Sequence, residues 1–322
     1  MEHYVLPAFD ARGLEPLVST SSYNDYRCYR RISKETQSRI LLCEIERAVG
    51  QGDLLALREG DQMVGLVTLI HLPWDSEIFD LPMAKIGHLI ATSAQGGRIE
   101  VLGRLLDRLI ELAHAQGIKH LSTRVDCADI EAIQCLEQRG FRLMECLITY
   151  VFRPQQDILP PIKALYHVRP YTPADREALL AIAARMYAHH QSRFSVDPSL
   201  PPAGVGRFYL EWMKNACSGA MADHILVAER KGYPIGFLAY KLNSLVRECS
   251  GIRIAGQGLS ASLPEGTGAY IGLLKAALEL GRGEYDFMEA DAPQHHVVVI
   301  RTWQRLGFQL VRGKYAFHRV LV

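Results

Sequence analysis

The sequence predicts a mixed α/β protein made of two similar halves, and three observations predict it. A chain of 322 residues exceeds one ordinary core and suits two domains. Residues 253–308 read as strand, glycine turn, helix, strand, helix and a Gly-Phe strand. An earlier block repeats that plan. Gly140-Phe141 and Gly307-Phe308 lie 167 residues apart, and the same shift pairs Asp129 with His296 and Leu136 with Trp303. Mixed sheets with helices on both faces are the layering this alternation gives.

Taken in order, residues 1–50 are mixed, with helical spacing over 36–49 (Ile40, Leu41, Ile45, Ala48) closed by Gly50. Residues 54–57 and 63–70 are strand-like runs around the turn Glu59-Gly60-Asp61. Residues 72–79 form a distinctive loop, 84–92 an apolar strand, and 99–114 an amphipathic helix closed by Gly117. Residues 119–126 are strand-like and 129–138 helical, and Gly140-Phe141 opens a strand pair reaching Phe152. The proline-rich run 154–161 packs poorly and reads as a linker. The expected domains are therefore 1–155 and 166–322, joined by 156–165. In the second half, 168–171 is a strand and 176–187 a helix after Thr172, a candidate N-cap. Residues 192–206 are a polar loop, 207–216 a helix, and 224–229 with 234–242 a hairpin around Lys231-Gly232. The segment 253–308 follows.

Bulk properties exclude several function classes. Formal net charge is +1, which gives no general electrostatic case for nucleic acid or an anionic membrane. No apolar run is long enough to span a bilayer, and a charge at Glu2 argues against a signal-peptide core. The seven cysteines lack Cys-x-x-Cys and zinc spacing, so they read as thiols of a cytoplasmic protein. His189-His190 has no third ligand spaced with it, so no metal is expected.

The chemistry concentrates in the repeated segment. Gly266-Thr267-Gly268-Ala269 precedes a helical run from Tyr270, and a helix N-terminus behind glycines is a ready anion site. The whole ordered set resembles the acyl-CoA-binding core of the GNAT N-acetyltransferases. The two halves then imply tandem GNAT-like domains. Trp74-Asp75-Ser76-x-x-Phe79, Ser192-Arg193-Phe194, Gly206-Arg207-Phe208-Tyr209, Trp212, Asn215 and Ala222-Asp223-His224 resemble stretches of one branch, the dTDP-fucosamine N-acetyltransferase family.

That resemblance implies acetyl transfer from acetyl-CoA, or another acyl-CoA, to a small-molecule amine, first an amino-sugar nucleotide. It implies that Gly258, Leu259 and Ser260 receive the pantetheine arm, and that Gly266, Thr267, Gly268 and Ala269, with Tyr270 after them, hold the pyrophosphate. Trp74, Asp75, Ser76, Arg193, Phe194, Arg207 and Tyr209 fall on its substrate side. His295 and His296 are candidate bases for an ammonium nucleophile, with Glu289 and Asp291 as alternatives. The family's tyrosine that protonates the leaving thiolate is Trp303 here, and an indole N–H donates a hydrogen bond but does not release its proton at useful pH. Tyr315 is the nearest tyrosine in sequence that could take over. In the N-terminal half the corresponding turn, Gln95-Gly96-Gly97-Arg98, carries a bulky Arg98 and its tyrosine position is Leu136. That half reads as a structural partner. Two alternatives stand beside the amino-sugar reading: an acyltransferase for a small amine or carrier-linked intermediate, and a non-catalytic GNAT that binds CoA or a partner.

Overall fold

The computed structural model describes residues 2–5, 11–29, 31–93 and 96–321. In chain order the elements are β1 (Glu2–Val5), α1 (Ala11–Ser19), α2 (Lys34–Val49), β2 (Gly52–Glu59), β3 (Gln62–His71), α3 (Pro73–Phe79), β4 (Met83–Ala91), α4 (Arg98–Ala115), β5 (His120–Asp126), α5 (Ile130–Gln138) and β6 (Arg142–Phe152). Then follow β7 (His167–Pro170), α6 (Arg176–Tyr187), α7 (Pro202–Cys217), β8 (His224–Arg230), β9 (Tyr233–Leu242), α8 (Ser244–Ser250), β10 (Ile254–Ser262), α9 (Ala269–Leu280), β11 (Phe287–Pro293), α10 (Val297–Leu306) and β12 (Gln309–Val320).

Several boundaries differ from the sequence reading. The loop at 72–79 is the short helix α3, started by Pro73 in its first turn. Helix α7 begins inside the expected polar loop, again at a proline, Pro202. The strand pair after Gly140 is one long strand, β6, and β11 continues through the polar residues to Pro293. Helices α1 and α8 had no clear local signal. Gln95, in the N-terminal glycine turn, lies outside the described residues.

The chain forms two compact units. Unit 1 comprises residues 1–146 and 312–322, and unit 2 residues 147–311. This division differs from one at the proline linker, because two strands lie in the unit formed by the other part of the sequence. The last strand, β12, pairs antiparallel with β5 in unit 1 (Lys314↔Asp126 to Val320↔His120). The end of β6 pairs antiparallel with β11 in unit 2 (Met288↔Phe152 to Pro293↔Leu147).

Each unit, taken alone, has the same strand logic. Unit 1 runs β1-β2-β3-β4-β5-β12, with β4 and β5 parallel and the other neighbours antiparallel. Unit 2 runs β7-β8-β9-β10-β11-β6, with β10 and β11 parallel. The unbroken apolar run Leu54-Leu55-Ala56-Leu57 follows from burial on both faces. Leu55 and Leu57 join the core under α4 and α5, while Leu54 and Ala56 join the core under α1 and α2. In unit 2, Leu273, Leu274, Ala277 and Leu278 of α9 pack with Trp303 and Leu306 of α10 on β9 to β11.

Gly140 and Gly307, paired by the sequence repeat, adopt φ of +74° and +89° in the turns that end α5 and α10. Glycine is the residue that holds this conformation at little cost. Asp129 and His296, paired by the same shift, are the N-cap residues of those helices. The thiol expectation holds for Cys28, Cys127, Cys135, Cys146 and Cys217. Among the described residues, no helix is long and apolar enough to cross a membrane.

Candidate active site

Unit 2 opens along β10. Ile254, Ala255 and Gly256 pair in parallel with Phe287, Met288 and Glu289, and the pairing ends there. Against β9, Gln257 faces Tyr240 and Ser260 faces Leu238, so Gly258 and Leu259 share Ala239 as their single opposite residue. This two-for-one register is a β-bulge, which bends the strand and turns one residue out of the ladder. The residues expected to receive a pantetheine arm, Gly258, Leu259 and Ser260, are the bulge and its exit.

The turn after β10 leads into α9. Gly266 N donates to Leu263 O (2.8 Å), and Thr267 Oγ1 donates to Pro264 O (3.0 Å). Gly268 is the N-cap of α9, at φ +88°, and no side chain caps the helix. The first N–H groups of α9, from Ala269 and Tyr270, are therefore the unsatisfied donors every helix start leaves. The φ of +88° is what favours glycine there, since a Cβ on Gly268 would meet only the tip of the exposed Leu165 side chain (Cδ1, 2.9 Å), which can move aside. The turn's acid, Glu265, is exposed and paired with Arg185 (3.3 Å). An uncapped helix start next to a bulged strand fits the diphosphate and thioester ends of an acyl-CoA.

Trp303 is fully buried in the core of unit 2. Its Nε1 donates to the Tyr270 hydroxyl over 2.8 Å. Tyr270 also exchanges hydrogen bonds with the Gln257 amide (2.8 and 3.1 Å), and Gln257 Nε2 donates to Ser260 Oγ (3.0 Å). The indole thus ends a polar relay leading to the bulge. Burial pushes the Tyr270 phenol up to about 12, although its hydrogen bonds to Gln257, Trp303 and Ser260 work the other way.

An aromatic wall links the histidines to the same strand. The His296 ring lies 4.4 Å from His295 and 5.2 Å from His190, centroid to centroid. His190 meets Tyr187 (5.1 Å) and Tyr209 (5.0 Å) edge-on, and Tyr187 and Tyr209 stack at 4.5 Å. The Tyr187 hydroxyl donates to Ser260 O over 2.6 Å, which ties α6 to the end of the bulge. Glu289 is half-buried on β11 opposite Gly256, and Asp291 is exposed and accepts from the Thr149 hydroxyl.

Of the expected substrate-side residues, Phe194 and Tyr209 are buried, Arg193 lies 4.3 Å from the Phe194 ring centroid, and Arg207 is exposed on α7. All four belong to unit 2. Trp74, Asp75 and Ser76 belong to unit 1, on α3. The Ser76 hydroxyl donates to Leu72 O (2.7 Å) and accepts from Met83 N (2.9 Å), stapling the turn into β4. Tyr315 also lies in unit 1, on β12 opposite Val125, and packs on that unit's core. Sequence proximity to Trp303 is therefore no guide to its place.

Two units with this strand order, a parallel pair parting at a bulge and a glycine-led helix behind the bulge define a tandem protein of the GNAT N-acetyltransferase fold. Comparison with known proteins places the chain among proteins of that fold. It resembles the GCN5-related N-acetyltransferase of Sphaerobacter thermophilus (TM-score 0.66, 12% identity, 99% of this chain and 95% of that one). It also resembles a tandem GNAT protein from the clavulanic acid biosynthesis pathway (TM-score 0.58, 16% identity, 99% of this chain and 98% of that one). By sequence it is 25% identical over 303 residues to the spore coat polysaccharide biosynthesis protein SpsD of Bacillus subtilis, across 91% of this chain and 97% of that one. No family model matches the chain.

Sequence reasoning took Tyr270 only as a residue of the helix start and missed its bond to Trp303. Residues 303 and 270 lie on different helices, and no local pattern joins them. It also missed the charged groups gathered in unit 1: Asp25, Glu44, His88 and Lys314. The repeat did contain one trace of these. Gly87-His88 occupies the register slip of β4 that Gly258-Leu259 occupies in β10.

Proposed function

We propose that the protein is an acyl-CoA-dependent N-acyltransferase, most simply moving acetyl from acetyl-CoA to a primary amine, with an amino-sugar nucleotide as the first acceptor class. The observation that carries this reading is the bulge at Gly258-Leu259, where β10 parts from β11, backed by the uncapped start of α9. Its strand N–H groups would stabilise the oxyanion that develops on the thioester carbonyl. The N-terminus of α9 would hold the diphosphate. The similarity to SpsD, a spore coat polysaccharide biosynthesis protein, supports a sugar-linked acceptor.

The transfer forms one carbon–nitrogen bond and breaks one carbon–sulfur bond. The attacking amine must be neutral, so its ammonium proton goes to a base. His296 is the favoured base, with His295 beside it and Glu289 as the carboxylate alternative. The leaving sulfur needs a proton or a hydrogen bond. Trp303 cannot supply the proton, but its indole N–H donates to the Tyr270 hydroxyl, and that hydroxyl is the proton donor this reading assigns. Arg193 and Arg207 would meet the acceptor's phosphates.

The test is calorimetric titration of the full chain with acetyl-CoA. One site per chain in the wild type, lost in Gly268→Arg, is the expected result. Binding that survives the substitution would move the donor site away from the start of α9. No binding at all would favour the non-catalytic reading.

A further inference from the structure

Unit 1 contains its own cavity, of about 550 Å³, in the counterpart of the opening in unit 2. Strand β4 pairs in parallel with β5 only from Met83↔His120 to Ile86↔Thr123. Beyond that, residues 87–93 of one strand and 123–126 of the other line the cavity. As in β10, the parting coincides with a bulge. Val67 faces Leu89 and Leu69 faces Ile86, so Gly87 and His88 share Thr68.

The chemistry of this cleft differs from that of unit 2. The Thr68 hydroxyl accepts from His88 N (2.9 Å) and lies 3.1 Å from His88 Nδ1, so the bulge N–H is already satisfied by a side chain. Ala239, at the equivalent place in unit 2, has no side-chain acceptor. The position that begins α4 is Arg98, which grips Asp129 through two hydrogen bonds (2.6 and 2.7 Å) and Glu131 through a third (3.0 Å). The other lining cations are also paired, Arg124 with Glu145 (3.5 Å) and Lys314 with Asp25. A diphosphate would find carboxylates here and each lining cation already engaged.

One carboxyl of the lining has no ion pair among the described residues. Glu44 of α2 accepts from the Tyr26 hydroxyl (3.1 Å). Asp25 stands near it, with Lys314 and Arg312 of β12 behind Asp25, and His88 faces the cavity from β4. Burial first, and then the negative charge of Asp25, raises Glu44 to about 7. Burial would also raise Asp25, but Lys314 and Arg312 outweigh it and hold that carboxyl well below its usual range. Burial lowers His88 to about 4, leaving it neutral near pH 7. The rest of the wall is rich in hydroxyl and amide groups, among them Ser21, Ser22, Asn24, Gln62 and Ser93, with the Tyr23 ring.

We propose that this cavity is a second small-molecule site, which takes a polyhydroxylated primary amine of the amino-sugar class with its ammonium against Glu44. A bound cation supplies the charge that Glu44 lacks, and the hydroxyl-rich wall matches sugar hydroxyls. The volume lies within the ordinary range of ligand pockets. The site is separate from the acyl-CoA site of unit 2 and does not depend on transfer occurring there.

The experiment is calorimetric titration of the full chain with 6-amino-6-deoxy-D-glucose, whose alkylammonium stays charged through the neutral range. D-glucose serves as the comparator. The amine is expected to bind at least tenfold more tightly than glucose, and its affinity to rise from pH 6 to pH 8 as Glu44 ionises. Glu44→Gln, which keeps shape and removes the charge, is expected to lower amine affinity at least tenfold and flatten the pH dependence. Acetyl-CoA binding should be unchanged in that variant, which separates this site from the donor site and checks the fold. Equal binding of amine and glucose, unchanged binding in Glu44→Gln, or no binding of the amine would each overturn the proposal.

Discussion

The Nε1 of Trp303 donates to the hydroxyl of Tyr270 across 2.8 Å, joining α10 to the first turn of α9. An indole where a GNAT resemblance calls for a phenol therefore has a phenol in contact with it. The two variants that break this bond should behave differently. Tyr270→Phe keeps the ring and removes the hydroxyl. It is expected to lower kcat by about 10²-fold, within the usual range for a positioned proton donor, with acetyl-CoA affinity changed less than threefold. Trp303→Phe keeps an aromatic ring in the core and should lower kcat less than Tyr270→Phe, because the hydroxyl remains but loses its orienting donor. Equal kcat for wild type and Tyr270→Phe in steady-state assays would remove Tyr270 from the reaction.

His296 should show itself in a pH profile. Replacing it with Gln is expected to lower kcat/KM by about 10²-fold and to remove the acidic limb of the profile. His295→Gln should leave the shape intact. If Glu289→Gln removes that limb instead, the carboxylate is the base.

Arg193 and Arg207 test the acceptor class. With an amino-sugar nucleotide, either alanine variant should raise acceptor KM by about tenfold or more, since each loses a charge-assisted contact of roughly 1.5–3 kcal/mol. Unchanged KM would favour a small amine without phosphates.

Glu44 gives a stability prediction with a definite sign. Its folded-state pKa, about 7, lies above the ordinary glutamate value of 4.5. A raised carboxyl means the folded state holds its proton more tightly than the unfolded chain does. The resulting stabilisation is full below the unfolded value and is lost as pH rises through the folded one. Glu44→Gln should therefore gain on the wild type as pH rises from 5 to 8. The gain is on the order of 1–2 kcal/mol, after allowing for water in the cavity. Thermal melts at both pH values check this, and a constant difference would contradict it.

Much of the fold was legible because it is written locally. The alternation of periods located most strands and helices, and the 167-residue shift placed Gly140 with Gly307 and Asp129 with His296 at equivalent helix ends. The glycine turn before α9 is legible because an αL N-cap favours glycine at Gly268. Helix α3 looks like a loop in the sequence because a seven-residue helix opened by proline has too few turns to show a period.

By itself the sequence determined two repeated strand–turn–helix–strand blocks, where their helices start and stop, and that the C-terminal block retains an open glycine turn while the N-terminal one carries Arg98. Tertiary structure alone decided which strands complete which sheet, that the Tyr270 hydroxyl meets Trp303, and that Asp25, Glu44, His88 and Lys314 share one cavity. The physical reason is range. Periodicity and capping are set by neighbours a few residues away, whereas strand edges and buried charges are satisfied by whatever partner the folded chain brings to them, and Lys314 comes to Asp25 from the far end of the sequence.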